Sequence, residues 1–214
     1  DAIAVEPASK PMARAALGLA EQAPLVALLP GSRGSEIDAL GAVFLQAAQC
    51  MAASRPDIHF VLPVAPGRRA ALNAIVQTHG AKLPLTMIEG RSHEVLAACD
   101  VTLIASGTAT LEAALFKRPM VIAYRMNAIS YQMMKRMGYL PWIGLPNILA
   151  REFLVPERVQ DAATPKQLAA DAIRSLRLVR SILGEIERRR DRLATACRRA
   201  SAPTSWTAHA SDGV

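Results

Sequence analysis

Apolar residues in this chain come in short continuous runs, separated by segments in which they recur at helical spacing. "APLVALLP", residues 23–30, is unbroken apolar sequence closed by a proline, which predicts a strand buried on both faces. "EIDALGAVFLQAAQCMAAS" follows, with Leu40, Val43, Phe44, Ala47 and Met51 at the three-four spacing of a helix. "IHFVLPVA" reads as a second strand and "GRRAALNAIVQTHG" as a helix stopped by Gly80. "LPLTMIEG" is a third strand, "SHEVLAACD" a short helix with Ser92 as its cap, "VTLIAS" a fourth strand, "TATLEAALFKRP" its helix and "PMVIAY" a fifth strand.

Strand and helix thus alternate five times. That pattern predicts an α/β fold, a Rossmann-like parallel sheet flanked by helices, with right-handed crossovers. Ligands bind such sheets at the carboxyl ends of the strands, so "GSRGSE", "VAPGRR", "EGRSHE" and "SGTATLE" are the loops to inspect. After Tyr124 the pattern changes: "NAISYQMMKRMGYLPWIGLPN" is rich in Met and aromatics and broken by prolines. The expected organisation is a connector over 1–23, the Rossmann-like domain over 24–160, a carboxyl-terminal helical region over 161–200 and a frayed tail over 201–214. The chain opens on Asp1, not Met, and reads as a piece of something longer.

Two of the loops suggest an anion site. Gly31 and Gly34 let the backbone turn tightly and approach a ligand, Ser32 lies between them, and Arg33 supplies a planar cation suited to phosphate oxygens. The spacing matches neither a P-loop nor a dinucleotide fingerprint, and a plain strand–helix turn with a surface arginine fits equally well. In the second loop Gly107 allows close backbone approach, Ser106 and Thr108 offer hydroxyls, and the first-turn N–H groups of the next helix are free. Thr108 and Glu112 are four apart and share a helix face; the segment around Glu112 is apolar, so the carboxylate needs a partner there, such as two vicinal ribose hydroxyls. The alternative is a helix cap with an acid near the positive end of the dipole. Asn147 in "GLPN", Glu157 and Gln160 in "VPERVQ" and His93 say little in isolation. Ser106 has no base beside it, so a hydrolase triad is not expected.

Composition narrows the field. The chain has 214 residues, and no run approaches the ~18 apolar residues of a spanning helix. Cys50, Cys99 and Cys197 are odd in number and far apart, which gives neither a disulfide framework nor zinc spacing and points to a reducing, cytosolic compartment. No metal or cofactor is expected. The net charge is +7, and residues 162–200 carry ten Lys or Arg against four Asp or Glu. An arginine-rich helix of that kind is ordinarily a solvated face, with anionic lipid or a phosphate-bearing substrate as the sharper reading. Nucleic acid is not expected, because aromatics do not interleave the basic residues.

"LLPGSRGSEI", "SGTATLEAALFKRPMVIAYRM", "LPNILA" and "VPERVQ", in this order, resemble the carboxyl-terminal half of the lipid-A-disaccharide synthase family. The resemblance runs from Asp1 to about Arg199. It implies a hexosyltransferase of two Rossmann-like domains, the GT-B architecture. Such an enzyme inverts the anomeric centre as it joins UDP-2,3-diacylglucosamine to 2,3-diacylglucosamine 1-phosphate. It releases UDP and works in the cytoplasm, peripherally on the inner membrane of a Gram-negative cell. The resemblance further implies donor binding by Gly31, Ser32, Arg33, Ser106, Gly107, Thr108, Glu112, Asn147 and Gln160. Arg33 would stabilise the leaving diphosphate, with Asn147 in support. Acceptor determinants and an essential aspartate belong to an amino-terminal domain that this sequence lacks, which implies inactivity alone. The family's homodimer shares carboxyl-terminal elements, and this sequence departs from the family after Ser201 and at Arg158, where an apolar residue is usual. A peptidoglycan transferase, an epimerase using the same class of nucleotide sugar, and a non-catalytic nucleotide-binding module are the alternatives.

Overall fold

The computed structural model describes residues 9–126, 131 and 141–200. Most of the Met-rich stretch, the start of the expected connector and the tail 201–214 lie outside the described residues. In chain order the elements are α1 (Lys10–Ala16), β1 (Leu25–Leu29), α2 (Gly34–Ser54), β2 (His59–Val64), α3 (Arg69–His79), β3 (Leu85–Glu89) and α4 (Ser92–Ala98). There follow β4 (Val101–Ala105), α5 (Ala109–Leu115), β5 (Met120–Tyr124), α6 (Leu145–Ala150), β6 (Glu157–Val159), a 3-10 turn (Gln160–Ala162) and α7 (Pro165–Ala200).

The strands form one sheet in the order β3-β2-β1-β4-β5-β6, with every pairing parallel. Successive side chains of a strand point to opposite faces, and the core divides accordingly. Val26, Leu28, Phe60, Leu62, Leu103 and Val121 face one side, where they meet Leu40, Phe44 and Met51 of α2 and Leu168, Ala172 and Leu176 of α7. Leu25, Ala27, Leu29, Val61, Ile104 and Ile122 face the other, with Val95 and Leu96 of α4 and Ala113 and Phe116 at α5. A strand covered on both faces must be apolar at every position, which is why β1 and β4 read as unbroken runs. α2 is long and apolar enough to cross a membrane by composition, yet it packs half its surface into this core.

Several expectations are corrected. The stretch read as connector contains α1, which is anchored by a buried arginine. Arg14 donates to the carbonyls of Ala98, Ala20 and Ala23 and to Asp100, which also accepts the Leu25 N–H and pairs with Lys10. A sixth strand, β6, pairs with β5 through Ile122 opposite Glu157. Ser92 is the first residue of α4, not its cap; Arg91 precedes it in the left-handed conformation. Compactness divides the chain after Arg177, inside α7. Up to Leu176 that helix belongs to the core of the first unit.

Cys99 is buried, and burial pushes its thiol up to about 12, as expected of a reduced core residue.

Candidate functional site

From β1 the chain steps outward through β2 to β3, then returns to place β4 on the other side of β1. The order of strands reverses between β1 and β4, and at such a switch point the loops leaving two neighbouring strands diverge and open a crevice. Here those loops are Gly31–Ser32–Arg33 and Ser106–Gly107–Thr108. A cavity of about 560 Å³ lies between them, and its walls are completed by Pro63–Pro66 at the end of β2, Gly90 and Ser92 after β3, Glu112 on α5, and Ile143 and Leu145. The structure thus brings Gly31, Ser32, Arg33, Ser106, Gly107, Thr108 and Glu112 into one pocket.

The first loop is built around a carboxylate that the sequence reading passed over. Gly31 turns the chain at φ +119, a region that side chains disfavour. Glu36, in the first turn of α2, folds back so that Oε2 accepts the N–H groups of Ser32 (3.0 Å) and Arg33 (3.2 Å). Its Oε1 accepts from Arg33 Nη1 at 3.0 Å. The acid at the third helical position, reaching back to the residue before the helix, is half of a capping box, and that spacing was visible in "SRGSE". Arg33 is 81 % exposed apart from this pair, so its guanidinium is anchored at the pocket rim by Glu36 alone among the described residues.

The second loop is open where the first is crowded. A Cβ on Gly107 would meet nothing within 4 Å, which leaves room for a ligand against the backbone. Thr110 caps the turn by donating to the Gly107 carbonyl at 2.7 Å, and Thr108 makes no capping bond of its own. Ser106 Oγ is engaged: it donates to the Ile143 carbonyl at 3.1 Å and so ties the end of β4 to the facing wall. α5 spans seven residues, so its contribution is a few first-turn N–H groups, not the long helix the sequence suggested. Glu112 is 31 % exposed, a wall residue and not a core acid, and its Oε2 lies 3.4 Å from His93 Nε2. His93 in turn rests on the Phe116 ring. His93 said little in isolation; the structure places it beside the carboxylate.

Asn147 and Gln160 sit outside the cavity walls. Asn147 is 0 % exposed and its amide is spent on this chain: Nδ2 donates to the Val155 carbonyl and Glu157, and Oδ1 accepts the N–H groups of Leu154 and Val155. Glu157 also accepts the N–H groups of Ile143 and Gly144, each at 2.9 Å. Together they brace the loop that carries Ile143 and Leu145 into the pocket wall. Gln160 pairs both ends of its amide with the backbone of Met126. Neither side chain lines the cavity. Among the described residues, no group of three His, Cys, Asp or Glu could hold a metal ion.

The family model for lipid-A-disaccharide synthetase matches residues 1–201. The chain belongs to this family. Lipid-A-disaccharide synthase of Thiobacillus denitrificans is 58 % identical over 162 residues, which cover 75 % of this chain and 43 % of that protein. Its counterpart in Albidiferax ferrireducens is 56 % identical over 171 residues, 80 % of this chain and 43 % of the relative. The chain therefore spans less than half the length of these curated synthases. Among solved structures, the Escherichia coli ADP-heptose heptosyltransferase II superposes with a TM-score of 0.57 at 14 % identity, covering 78 % of this chain and 50 % of that one. WaaG, a glycosyltransferase of lipopolysaccharide biosynthesis, gives 0.54 at 17 % identity, covering 80 % and 42 %. These likenesses establish the fold, a Rossmann-like parallel sheet flanked by helices.

Proposed function

We propose that this member of the synthetase family is the donor-binding half of a hexosyltransferase. It would hold UDP-2,3-diacylglucosamine while the sugar passes to 2,3-diacylglucosamine 1-phosphate. The observation that carries this reading is the convergence of the Gly31–Arg33 and Ser106–Thr108 loops with Glu112 on one cavity at the switch point. The diphosphate lies against the first turn of α2, where unpaired N–H groups and the positive end of a 21-residue helix favour anionic oxygens. Glu112 accepts the ribose hydroxyls from the α4 side of the cavity.

In the transfer, a bond forms between the acceptor hydroxyl oxygen and the anomeric carbon. The bond from that carbon to the β-phosphate oxygen breaks, and its electron pair leaves with UDP. Charge builds on the diphosphate in the transition state, so donors already aimed there strengthen as the bond breaks. Arg33 must exchange Glu36 for phosphate oxygens to contribute. The acceptor proton needs a base. Among the described residues the pocket has two carboxylates, Glu36 and Glu112, and both have other work. The base therefore belongs to the part of the synthase that this chain does not span, and the chain alone does not turn over. Peripheral contact with the cytoplasmic face of the inner membrane completes the reading by analogy with the family.

The test is calorimetry with UDP and with pyrophosphate on the wild-type chain and Glu112→Ala. Loss of a bonded carboxylate at the ribose weakens UDP by roughly 1–3 kcal/mol, about five- to 150-fold, and leaves pyrophosphate unchanged. Equal losses for both ligands would remove Glu112 from the ribose. Activity regained when an amino-terminal half is supplied in trans, and absent without it, tests the transfer itself.

A further inference from the structure

The loop after β2 carries an arginine that neither the motif reading nor the pocket walls single out. Arg68 immediately precedes α3, following the tight turn at Gly67. Its Nε donates to the Ser32 carbonyl at 3.1 Å, across 36 residues of sequence. Its Nη1 lies 3.6 Å from the point that a Cβ on Gly34 would occupy, above the first turn of α2.

The cations on the loops after β1, β2 and β3 differ in what holds them. Arg33 is paired with Glu36, Arg69 lies 3.7 Å from Glu89, and Arg91 is paired with Glu94. Arg68, among the described residues, is held by a neutral carbonyl and by no carboxylate. One of its five N–H donors is spent on Ser32, which fixes the direction of the group, and the outer nitrogens keep their hydrogens for another acceptor. A half-buried cation, tethered by its inner nitrogen to the Ser32 carbonyl beside the first turn of α2, is suited to an anionic oxygen pair.

We propose that Arg68 is a diphosphate-binding residue of this site, the cation that grips the nucleotide diphosphate in the ground state. The inference rests on the donor-site reading above. It gives the two arginines different duties. Arg33 must give up Glu36 before it can bind phosphate, so part of its gain is cancelled. Arg68 gives up no ion pair, and its side-chain freedom is already restricted by the Ser32 bond, so binding costs it less entropy.

The experiment titrates the whole chain and its Arg68→Gln and Arg68→Lys variants with UDP, inorganic pyrophosphate and uridine, the last followed by NMR. Arg68→Gln is expected to weaken UDP and pyrophosphate about tenfold each, the usual scale for a charge-assisted bond, and to leave uridine unchanged. Arg68→Lys recovers only part of the loss, because a point charge cannot keep both the Ser32 bond and a two-oxygen grip. Unchanged affinity for UDP and pyrophosphate overturns the proposal and leaves the donor reading standing. An equal loss for uridine also overturns it, since Arg68 would then only brace the Ser32 loop. Pyrophosphate lost in Arg68→Gln, with UDP binding the wild-type chain no more tightly than pyrophosphate, supports Arg68 and sinks the donor reading. No binding of UDP or pyrophosphate by the wild-type chain overturns both.

Discussion

Gly31 shows how one residue decides whether the first loop exists. Its φ of +119 is poorly open to any other residue, and a Cβ there would lie 2.3 Å from Glu36 Oε2 and 2.5 Å from Glu36 Cβ. Gly31→Ala therefore strains the backbone by about 1–3 kcal/mol and drives Glu36 off the Ser32 and Arg33 amides. Gly107→Ala is the contrast, because its methyl enters open space and meets only a ligand. The expected outcome is that Gly31→Ala lowers both thermal stability and UDP affinity, whereas Gly107→Ala lowers affinity alone. Thermal melts and calorimetry on the pair decide it, and a Gly31→Ala chain that binds UDP normally would detach this loop from the site. At this scale the sequence was informative about glycines and polar loop residues, since their chemistry is local. It could not show occupancy. Asn147 and Gln160 stood in the right motifs, but their amides are consumed by Val155, Glu157 and Met126 across turns that only the fold creates. Glu36 and Arg68 were missed for the converse reason: each acts on Ser32, one from the helix and one from another strand's loop.

The elements were legible to the extent that each is covered on two faces. β1, β4 and β5 announce themselves as apolar runs because helices pack on both sides. β6 is three residues long, two of them charged, and pairs on one side only, so nothing in "ERV" marks a strand. α1 was unreadable for a different reason, as the residue that docks it is Arg14, whose burial depends on four carbonyls and Asp100. The edge also holds an unusual pair. Arg158 on β6 forms a two-pronged bond to Asp171 of α7 at 2.6 and 3.1 Å, and Asp171 is 1 % exposed. That bond also raises the Arg158 pKa above its ordinary value. Arg158→Leu leaves the buried carboxylate with only the exposed Arg174, 3.9 Å away, and should cost about 3 kcal/mol. Arg158→Leu combined with Asp171→Leu removes both charges and should recover most of that loss. Chemical denaturation of the single and double variants measures the difference, and equal destabilisation of the two would show that the pair does not couple β6 to α7.

At the scale of the molecule, the parallel sheet sets the place of the site and the sequence sets the charge of the rest. The crevice follows from strand order, which the alternation of elements implied but could not number. The positive charge is concentrated late in the chain, and within the second unit Leu178, Ile182, Leu183 and Ile186 are exposed on the same helix that carries Arg188, Arg189, Arg190 and Arg192. Arg188 and Arg189 share a single carboxylate, Glu185, whose pKa they hold below the usual carboxylate range, so the segment keeps an excess of cations. The acyl-bearing substrates of the proposed function would give the enzyme reason to meet a lipid surface, and exposed apolar residues beside arginines are the composition that anionic headgroups attract. The chain is therefore expected to sediment with phosphatidylglycerol vesicles at low salt. Screening falls from about 10 Å at 0.1 M to about 3 Å at 1 M, so electrostatic attachment should weaken steeply over that range. Arg188→Glu with Arg189→Glu should release the chain from vesicles and leave its UDP affinity unchanged, because the nucleotide cavity lies in the first unit. Attachment that survives high salt would assign the contact to the apolar residues instead. A wild-type chain that ignores the vesicles even at low salt would make this helix a solvated face, and any membrane contact would then have to come from the part of the synthase that the chain does not span.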